Sequence, residues 1–417
     1  LLKPVLGVHS TRDARGKVVV DFKEAAAAVR VEGESVVIRL KRPDATFLKI
    51  LASLPIIVSK TWSSALGEWD GSEAAWKRFN NRPAALSALH GRMNGTGPFR
   101  LLEAAADGRQ LQLARNDGYW RAPAALERVY LRVVPSKALR LWMLENGDAD
   151  SAYFEDRDYN EAGALAGVRI VESASSAALG EVLFFTFRAA SDSPALGSGK
   201  LDGAGVPADF FADRDVREGF AYALDYEGYL KRGLANRGTR ARGPVPEALL
   251  ADQAPPRHGF DLEKSAAAFK KAYGGKLWET GFTVTLTHST SIASRMVLAE
   301  LLKAGLEKVN PKFSLKIRCV ASEELYTEAE RHRLPLFTSG YYSDYPDPHS
   351  FVFGMLHGSG YYPKAQRYAN PELDRRIDAA AAVLDPEKRR AAYREILALA
   401  AADIPQLVTY QPSRFTA

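Results

Sequence analysis

One short segment, residues 339–351, combines carboxylates and tyrosines with two prolines. Its candidate binding groups are Tyr341, Tyr342, Asp344, Tyr345 and Asp347. Because proline restricts the backbone, this loop should hold a carboxylate in a fixed place beside aromatic faces, which suits a cationic group on a ligand. The residue types leave an alternative open: a proline-rich turn whose aspartates only cap the next helix.

The elements around this loop are predicted from apolar periodicity and helix-capping signals. Residues 334–340 form an apolar run that predicts a strand leading into the loop. Strand-like and helix-like segments alternate over 126–188 and again over 282–340, a pattern typical of α/β lobes. The Val- and Leu-rich run 126–134 predicts a buried strand. Predicted N-caps are Asp213 or Asp215, Asp261, and Asp385 followed by Pro386.

Length and composition indicate an ordinary globular protein. A chain of 417 residues with 46% hydrophobic and 25% charged residues should form two or more domains with real cores. No apolar run reaches the roughly 18 residues needed to span a bilayer. The net charge of +6 is modest, and its basic residues are interleaved with acids, which argues against nucleic-acid binding.

The chain has a single cysteine, Cys319, which excludes an internal disulfide and a zinc site built on paired thiolates. It lies in an alternating strand pattern, 315–320, and is predicted to be packed or half-buried. The sequence does not begin with Met and has no signal peptide at Leu1, so it is predicted to be a processed or trimmed product.

Sequence signatures of catalysis are largely absent. The segment 197–200 resembles a phosphate-binding loop but has the wrong leading residue, and Leu201 replaces the required Ser or Thr. No nucleophile elbow, zinc-protease motif or dinucleotide fingerprint occurs. His349 and His357 could share a metal, but isolated histidines are the favoured interpretation. A hydrolase working through Asp344, Asp347 and a histidine is a distant alternative, because no partner nucleophile is evident.

The order of several motifs resembles that of the family 5 extracellular solute-binding proteins, the dipeptide, oligopeptide and nickel-type receptors of bacterial ABC importers. The resemblance covers nearly the whole chain. The motifs that carry it are Asn94–Phe99 with Arg115–Trp120, Leu126–Pro135 with Leu144–Asp150, Asp215–Asp225, and the segment 339–351.

The resemblance implies an α/β fold: a two-lobed periplasmic binding protein of type II, cluster C-like, with a small inserted domain. It places Leu1 inside that insert, so the chain is expected to be truncated at its N-terminus or to be a divergent member. The implied division has a remainder of the insert at 1–88, lobe I at 89–185, lobe II at 186–403 and a return strand at 404–417. The two lobes would close at a hinge near Leu183–Arg188 and Pro405–Tyr410.

The same resemblance implies a receptor and not an enzyme. It would be extracytoplasmic, either periplasmic or anchored at the cell surface, and a monomer without a cofactor or metal. It would deliver a small solute to the membrane subunits of an ABC permease. Peptide is the leading ligand class; a nickel or other metal chelate, an opine or an oligosaccharide is the alternative on the same fold.

Particular residues take roles from the resemblance. Asp344 matches the family aspartate that pairs with a peptide α-ammonium, and Tyr341 stands at the place of a family tryptophan. Tyr342, Tyr345 and Tyr361 could extend that aromatic wall. Arg295 lies about where some members bind a ligand carboxylate; its alternative is an ordinary exposed arginine at a helix end. Asp347 is expected to be structural.

Overall fold

The computed structural model describes residues 5–12, 17–53, 57–155, 158–173, 178–290, 292–412 and 414–416. The chain separates into two compact units, Leu1–Arg140 and Leu141–Ala417. The division into four segments expected from the family resemblance stays a prediction. Among the residues described, no helix has both the length and the apolar run needed to cross a membrane.

The N-terminal unit is built from short antiparallel strand pairs and short helices. Strands β1 and β2 pair with each other, as do β3 and β4, and β5, β6 and β7 form a three-stranded sheet. The bounds are β1 (Ser10–Arg12), β2 (Val18–Val20), α1 (Phe22–Ala28), β3 (Val29–Glu32), β4 (Ser35–Ile38), α2 (Phe47–Ser53), α3 (Lys60–Ala65), α4 (Glu73–Phe79), β5 (Phe99–Ala104), β6 (Gln110–Arg115) and β7 (Arg128–Arg132). The next helix, α5 (Lys137–Glu145), contains the boundary between the two units.

The C-terminal unit contains a six-stranded mixed sheet with the strand order β10-β14-β9-β13-β11-β12. Strands β11, β12 and β13 are parallel, whereas β9 and β14 run antiparallel to their neighbours. The strand bounds are β8 (Val171–Ser173), β9 (Ala178–Phe185), β10 (Thr239–Arg240), β11 (Phe282–Ser289), β12 (Phe313–Val320), β13 (Leu336–Tyr342), β14 (Gln406–Gln411) and β15 (Arg414–Thr416), of which β8 and β15 pair separately.

Helices cover both faces of this sheet. The bounds of these helices are α7 (Arg214–Ala223), α8 (Tyr226–Leu234), α9 (Leu262–Phe269), α10 (Lys276–Thr280), α11 (Ser294–Val309), α12 (Ser322–Glu330), α13 (Pro348–Leu356), α14 (Tyr361–Gln366), α15 (Pro371–Ala382) and α16 (Pro386–Asp403). A further helix, α6 (Tyr159–Gly163), packs in a small separate cluster with Phe154. The predicted N-caps Asp213, Asp261 and Asp385 are confirmed, each accepting a backbone hydrogen bond in the first helical turn.

Strand β9 divides the core in two. Because successive side chains of a strand point to opposite faces, Val182 and Phe184 pack into the core on one side, and Leu183 and Phe185 pack into the core on the other. The Phe184 ring stacks on that of Tyr362 with 4.0 Å between centroids. The sheet with helices on both faces is the mixed α/β architecture expected from the sequence.

Two expectations about burial are wrong. The strand predicted to be buried within 126–134 is β7, at the edge of a three-stranded sheet, and Leu131 and Val133 are exposed. Cys319, expected to be packed or half-buried, is exposed on β12, an edge strand of the six-stranded sheet. An apolar or alternating pattern indicates a strand but not which of its faces another layer covers.

Candidate functional site

The candidate segment, residues 339–351, begins within the last four residues of β13, and its loop follows Tyr342. The pairing of β13 with β9 shifts register between Ser339 and Tyr341, at Gly340. A Cβ at Gly340 would lie 2.8 Å from the carbonyl oxygen of Gly180, so only glycine fits this close approach. Bulges of this kind re-aim the side chains that follow. The carboxyl ends of parallel strands are the usual place for ligand sites in open α/β sheets.

Asp347 anchors the far end of the loop and is fully buried. Its carboxylate accepts a hydrogen bond from the backbone N–H of His349 at 2.9 Å, which caps α13. It also accepts two hydrogen bonds from the guanidinium of Arg389, at 2.8 and 2.6 Å. Two parallel charge-assisted bonds of this type fix orientation as well as position. Asp347 therefore caps the next helix, as the alternative interpretation of the loop aspartates predicts.

Asp344 is exposed, but its backbone is held. Its N–H donates to Ser350 Oγ at 3.0 Å, and the Tyr341 hydroxyl donates to the Ser350 carbonyl at 2.9 Å. Burial raises the pKa of Tyr341 to about 12, and the Asp344 carboxylate adds to the rise. Tyr341 therefore stays a neutral phenol beside a carboxylate that faces solvent.

The other predicted aromatic residues divide into exposed and buried rings. Tyr342 and Tyr361 are exposed, at 65% and 43%. Tyr361 packs edge-on against Tyr362 and Tyr326. Tyr345 is buried, with its hydroxyl 2.7 Å from Nδ1 of His349. The structure thus brings Tyr341, Tyr361 and the unpredicted Tyr362 into one aromatic group, while Tyr345 packs inside the loop.

Arg295 lies in the first turn of α11 and is 4% exposed, so the alternative of an exposed helix-end arginine is wrong. Its Nε donates to both carboxylate oxygens of Glu181, at 2.9 and 2.8 Å, and its Nη1 donates to Ser289 Oγ. Glu181 is itself 1% exposed. Burial raises the pKa of the Glu181 carboxyl, and the adjacent Arg295 acts in the opposite direction. Arg295 is therefore paired with the Glu181 carboxylate inside the protein.

Sequence reasoning missed the group of buried polar side chains around this ion pair. Glu181, on the central strand β9, has Thr338 nearby on β13 and His288 on β11. The His288 Nδ1 lies 3.1 Å from the Ser289 carbonyl oxygen. The available signal was a run of four polar residues, Thr287–Thr290, at the end of a segment that until then alternates apolar residues with threonine. Buried polar groups at strand ends are common where a ligand or ordered water completes their hydrogen bonds.

The sequence matches the model of a family described as bacterial extracellular solute-binding proteins, family 5 Middle, over residues 8–363. Among curated relatives, heme-binding protein A of Haemophilus influenzae is 22% identical over 90% of this chain and 62% of its own length. The chain thus spans less than two thirds of that relative.

Solved structures show the same fold. The periplasmic binding protein DppA from Helicobacter pylori, in complex with the peptide STSA, superposes with a TM-score of 0.71 at 17% identity, covering 98% of this chain and 80% of that one. NikA from Brucella suis, in complex with Fe(III)-EDTA, superposes with a TM-score of 0.69 at 21% identity, covering 93% and 73%. The expected type II periplasmic binding protein fold is confirmed, and the chain belongs to the family 5 bacterial extracellular solute-binding proteins.

Proposed function

We propose that this chain is the solute-holding part of an extracytoplasmic receptor, periplasmic or anchored at the cell surface, that supplies an ABC permease. It acts as a monomer and performs no covalent chemistry. A peptide is the ligand class that the site favours, and Asp344 is the residue that binds the peptide amine. The observation that carries the proposal is the exposed Asp344 carboxylate in a loop whose backbone is held at both ends.

A fixed carboxylate is suited to a primary ammonium group. Two hydrogen bonds, one that Ser350 Oγ accepts from the Asp344 N–H and one that Arg389 donates to Asp347, hold the loop before the ligand arrives, so little ordering entropy is lost on binding. A charge-assisted hydrogen bond from an ammonium to a carboxylate contributes roughly 1.5–3 kcal/mol. This carboxylate therefore selects ligands with a free amine.

The exposed rings of Tyr342 and Tyr361 supply the apolar part of the site. Aromatic faces pack on aliphatic and aromatic side chains and attract cations. They therefore accommodate ligands with different side chains. Arg295 is proposed here in a supporting role, because its contacts with Glu181 leave its charge balanced. A peptide carboxylate would then be bound by other groups.

Similar proteins support both the proposal and its alternative. A peptide is bound in the Helicobacter pylori DppA structure, which favours the peptide class. Fe(III)-EDTA is bound in the Brucella suis NikA structure, and the Haemophilus influenzae relative is named for heme, so a metal chelate is the second candidate.

Native mass spectrometry of the purified protein tests the ligand class. A set of masses that resolves after denaturation into short peptides supports the proposal, and a single chelate or metal adduct favours the second candidate. Calorimetric titration with a dipeptide and with its N-acetylated form tests the amine. Equal affinity for the two forms would contradict the role of Asp344.

A further inference from the structure

A cavity of about 370 Å³ lies at the β10–β14 edge of the six-stranded sheet, within the C-terminal unit. We call it the edge cavity. Its walls come from Tyr226, the segments 240–244 and 252–258, the end of α16 and the first residues of β14. Buried Gln253 and exposed Arg257 both line it, so it extends from the interior to the surface.

The edge cavity is separate from the candidate loop. Tyr342, at the loop, pairs with Ala178, whereas Gln406, in the cavity wall, pairs with Phe184. At a rise of about 3.3 Å per residue, these two places on β9 lie roughly 20 Å apart. A ligand in the edge cavity would therefore not touch Asp344.

The interior of the edge cavity offers hydrogen-bond acceptors that nothing in the described part of the chain satisfies. Gln253 is 7% exposed, and its Nε2 donates to the carbonyls of Val245 and Leu250 at 2.8 and 2.7 Å. Those two bonds fix the orientation of the amide, and among the described residues its buried Oε1 has no partner. Gln406 is 8% exposed, and its buried Oε1 likewise accepts no hydrogen bond from any residue that the structure describes. Buried acceptors of this kind call for an O–H or N–H donor.

The mouth of the edge cavity is cationic. Three exposed arginines, Arg242, Arg257 and Arg394, line the cavity against a single aspartate, Asp252. The fourth lining arginine, Arg240, is turned inward and donates to the carbonyls of Val408 and Thr409. Arg242 pairs with Glu247 at 2.6 Å, and Arg394 lies 3.5 Å from Asp252. Arg257 makes no ion pair with any residue that the structure describes. An excess of positive charge around a concave site attracts anions.

The hydrogen-bond acceptors inside the edge cavity and the positive charge at its mouth together indicate one class of ligand. We propose that the edge cavity is a second binding site, for a small carboxylate that also carries hydroxyl or ammonium donors. The donors meet Gln253 Oε1 and Gln406 Oε1, and the carboxylate lies near Arg257. The volume is within the range of small-molecule sites. This site is independent of the proposed function.

Gluconate, a carboxylate with several hydroxyls, is the test ligand, and hexanoate is its comparison because it lacks donors beyond the carboxylate. Ligand-observed NMR titration of the protein should show gluconate binding at concentrations up to about 10 mM, with hexanoate at least about tenfold weaker. No gluconate binding, or equal binding of the two, would overturn the proposal.

Two variants locate the binding. Gly243→Ala would place a methyl group 3.2 Å from Gln253 Oε1 at a backbone conformation that alanine tolerates, and should weaken gluconate binding. Arg257→Gln should weaken it by about threefold or more. Arg331→Gln, an exposed change at the end of α12, and Asp344→Asn are the controls and should leave it unchanged. If all four variants bind gluconate like the wild type, or if crystals soaked in gluconate hold only water in the cavity, the proposal is wrong.

Discussion

Arg389 binds the buried carboxylate of Asp347 with both of its terminal nitrogens, 42 residues away along the chain. This ion pair joins the start of α13 to α16 and determines where the candidate loop ends. The Arg389 guanidinium also donates to the Tyr393 hydroxyl at 2.7 Å. The exposed Asp344 is therefore presented from a loop whose base belongs to the core.

Removing the carboxylate of Asp347 should destabilise the protein strongly. Asp347→Ala deletes a helix cap and leaves Arg389 without its buried partner, so the free energy of unfolding should fall by about 3–5 kcal/mol. Urea denaturation followed by circular dichroism measures the change. Glu372→Ala, which breaks exposed ion pairs with Arg375 and Arg376, should cost less than about 1 kcal/mol. Similar losses for the two variants would argue against the anchoring role.

Changing Asp344 should affect binding but not folding. Asp344→Asn keeps the shape of an exposed side chain and removes its charge, so affinity for a dipeptide should fall about tenfold or more. The free energy of unfolding should stay within about 0.5 kcal/mol of the wild type. Calorimetric titration measures the affinity, and Asp192→Asn, exposed at 73%, is the matched control. Unchanged affinity in Asp344→Asn would rule out the amine-binding role.

The buried pair of Glu181 and Arg295 should show strong coupling. Either single change, Glu181→Leu or Arg295→Met, leaves an uncompensated buried group and should cost about 3–5 kcal/mol of unfolding free energy. The double variant removes both charges and should be more stable than either single variant. Chemical denaturation of all four proteins completes the cycle. Simple additivity of the two single effects would show that the pair is not coupled.

His258 should make the protein less stable in acid. Burial lowers its pKa from 6.5 to about 4, so below pH 6.5 the unfolded chain takes up a proton that the folded protein does not. Stability is therefore lost as pH falls from about 6.5 to about 4, by roughly 3 kcal/mol in total. His258→Gln should flatten the unfolding free energy over this range. An unchanged pH profile in the variant would assign the acid sensitivity to other groups.

Gly180 should tolerate no side chain. A Cβ at this position of β9 would lie 2.0 Å from Cζ of Tyr410 on β14. Gly180→Ala should therefore cost about 1–3 kcal/mol through overpacking, and thermal unfolding should show a lower midpoint. Gly259→Ala, with open space around its Cβ and no positive φ, should change the midpoint little or raise it. Equal midpoints for the two variants would contradict the close contact.

Local signals in the sequence were sufficient for much of the fold. The caps Asp213, Asp261 and Asp385 were predictable because capping depends on residues within one helical turn. The strand Phe313–Val320 was predictable from its alternation. The ordered motifs also identified the family, since each one is a short contiguous run.

The tertiary structure alone decided which side chains meet and which are buried. Arg295 and Glu181 are 114 residues apart. They pair only because α11 packs on β11 and β12 and its first turn comes within reach of the middle of β9. Tyr345 and Tyr342 are both tyrosines of one loop, yet one is buried and the other exposed. Their different burial depends on which helices and strands pack over each position, and those elements are distant from the loop in the sequence. Sequence periodicity sets the elements, whereas sheet register and layer packing determine the contacts that form the site.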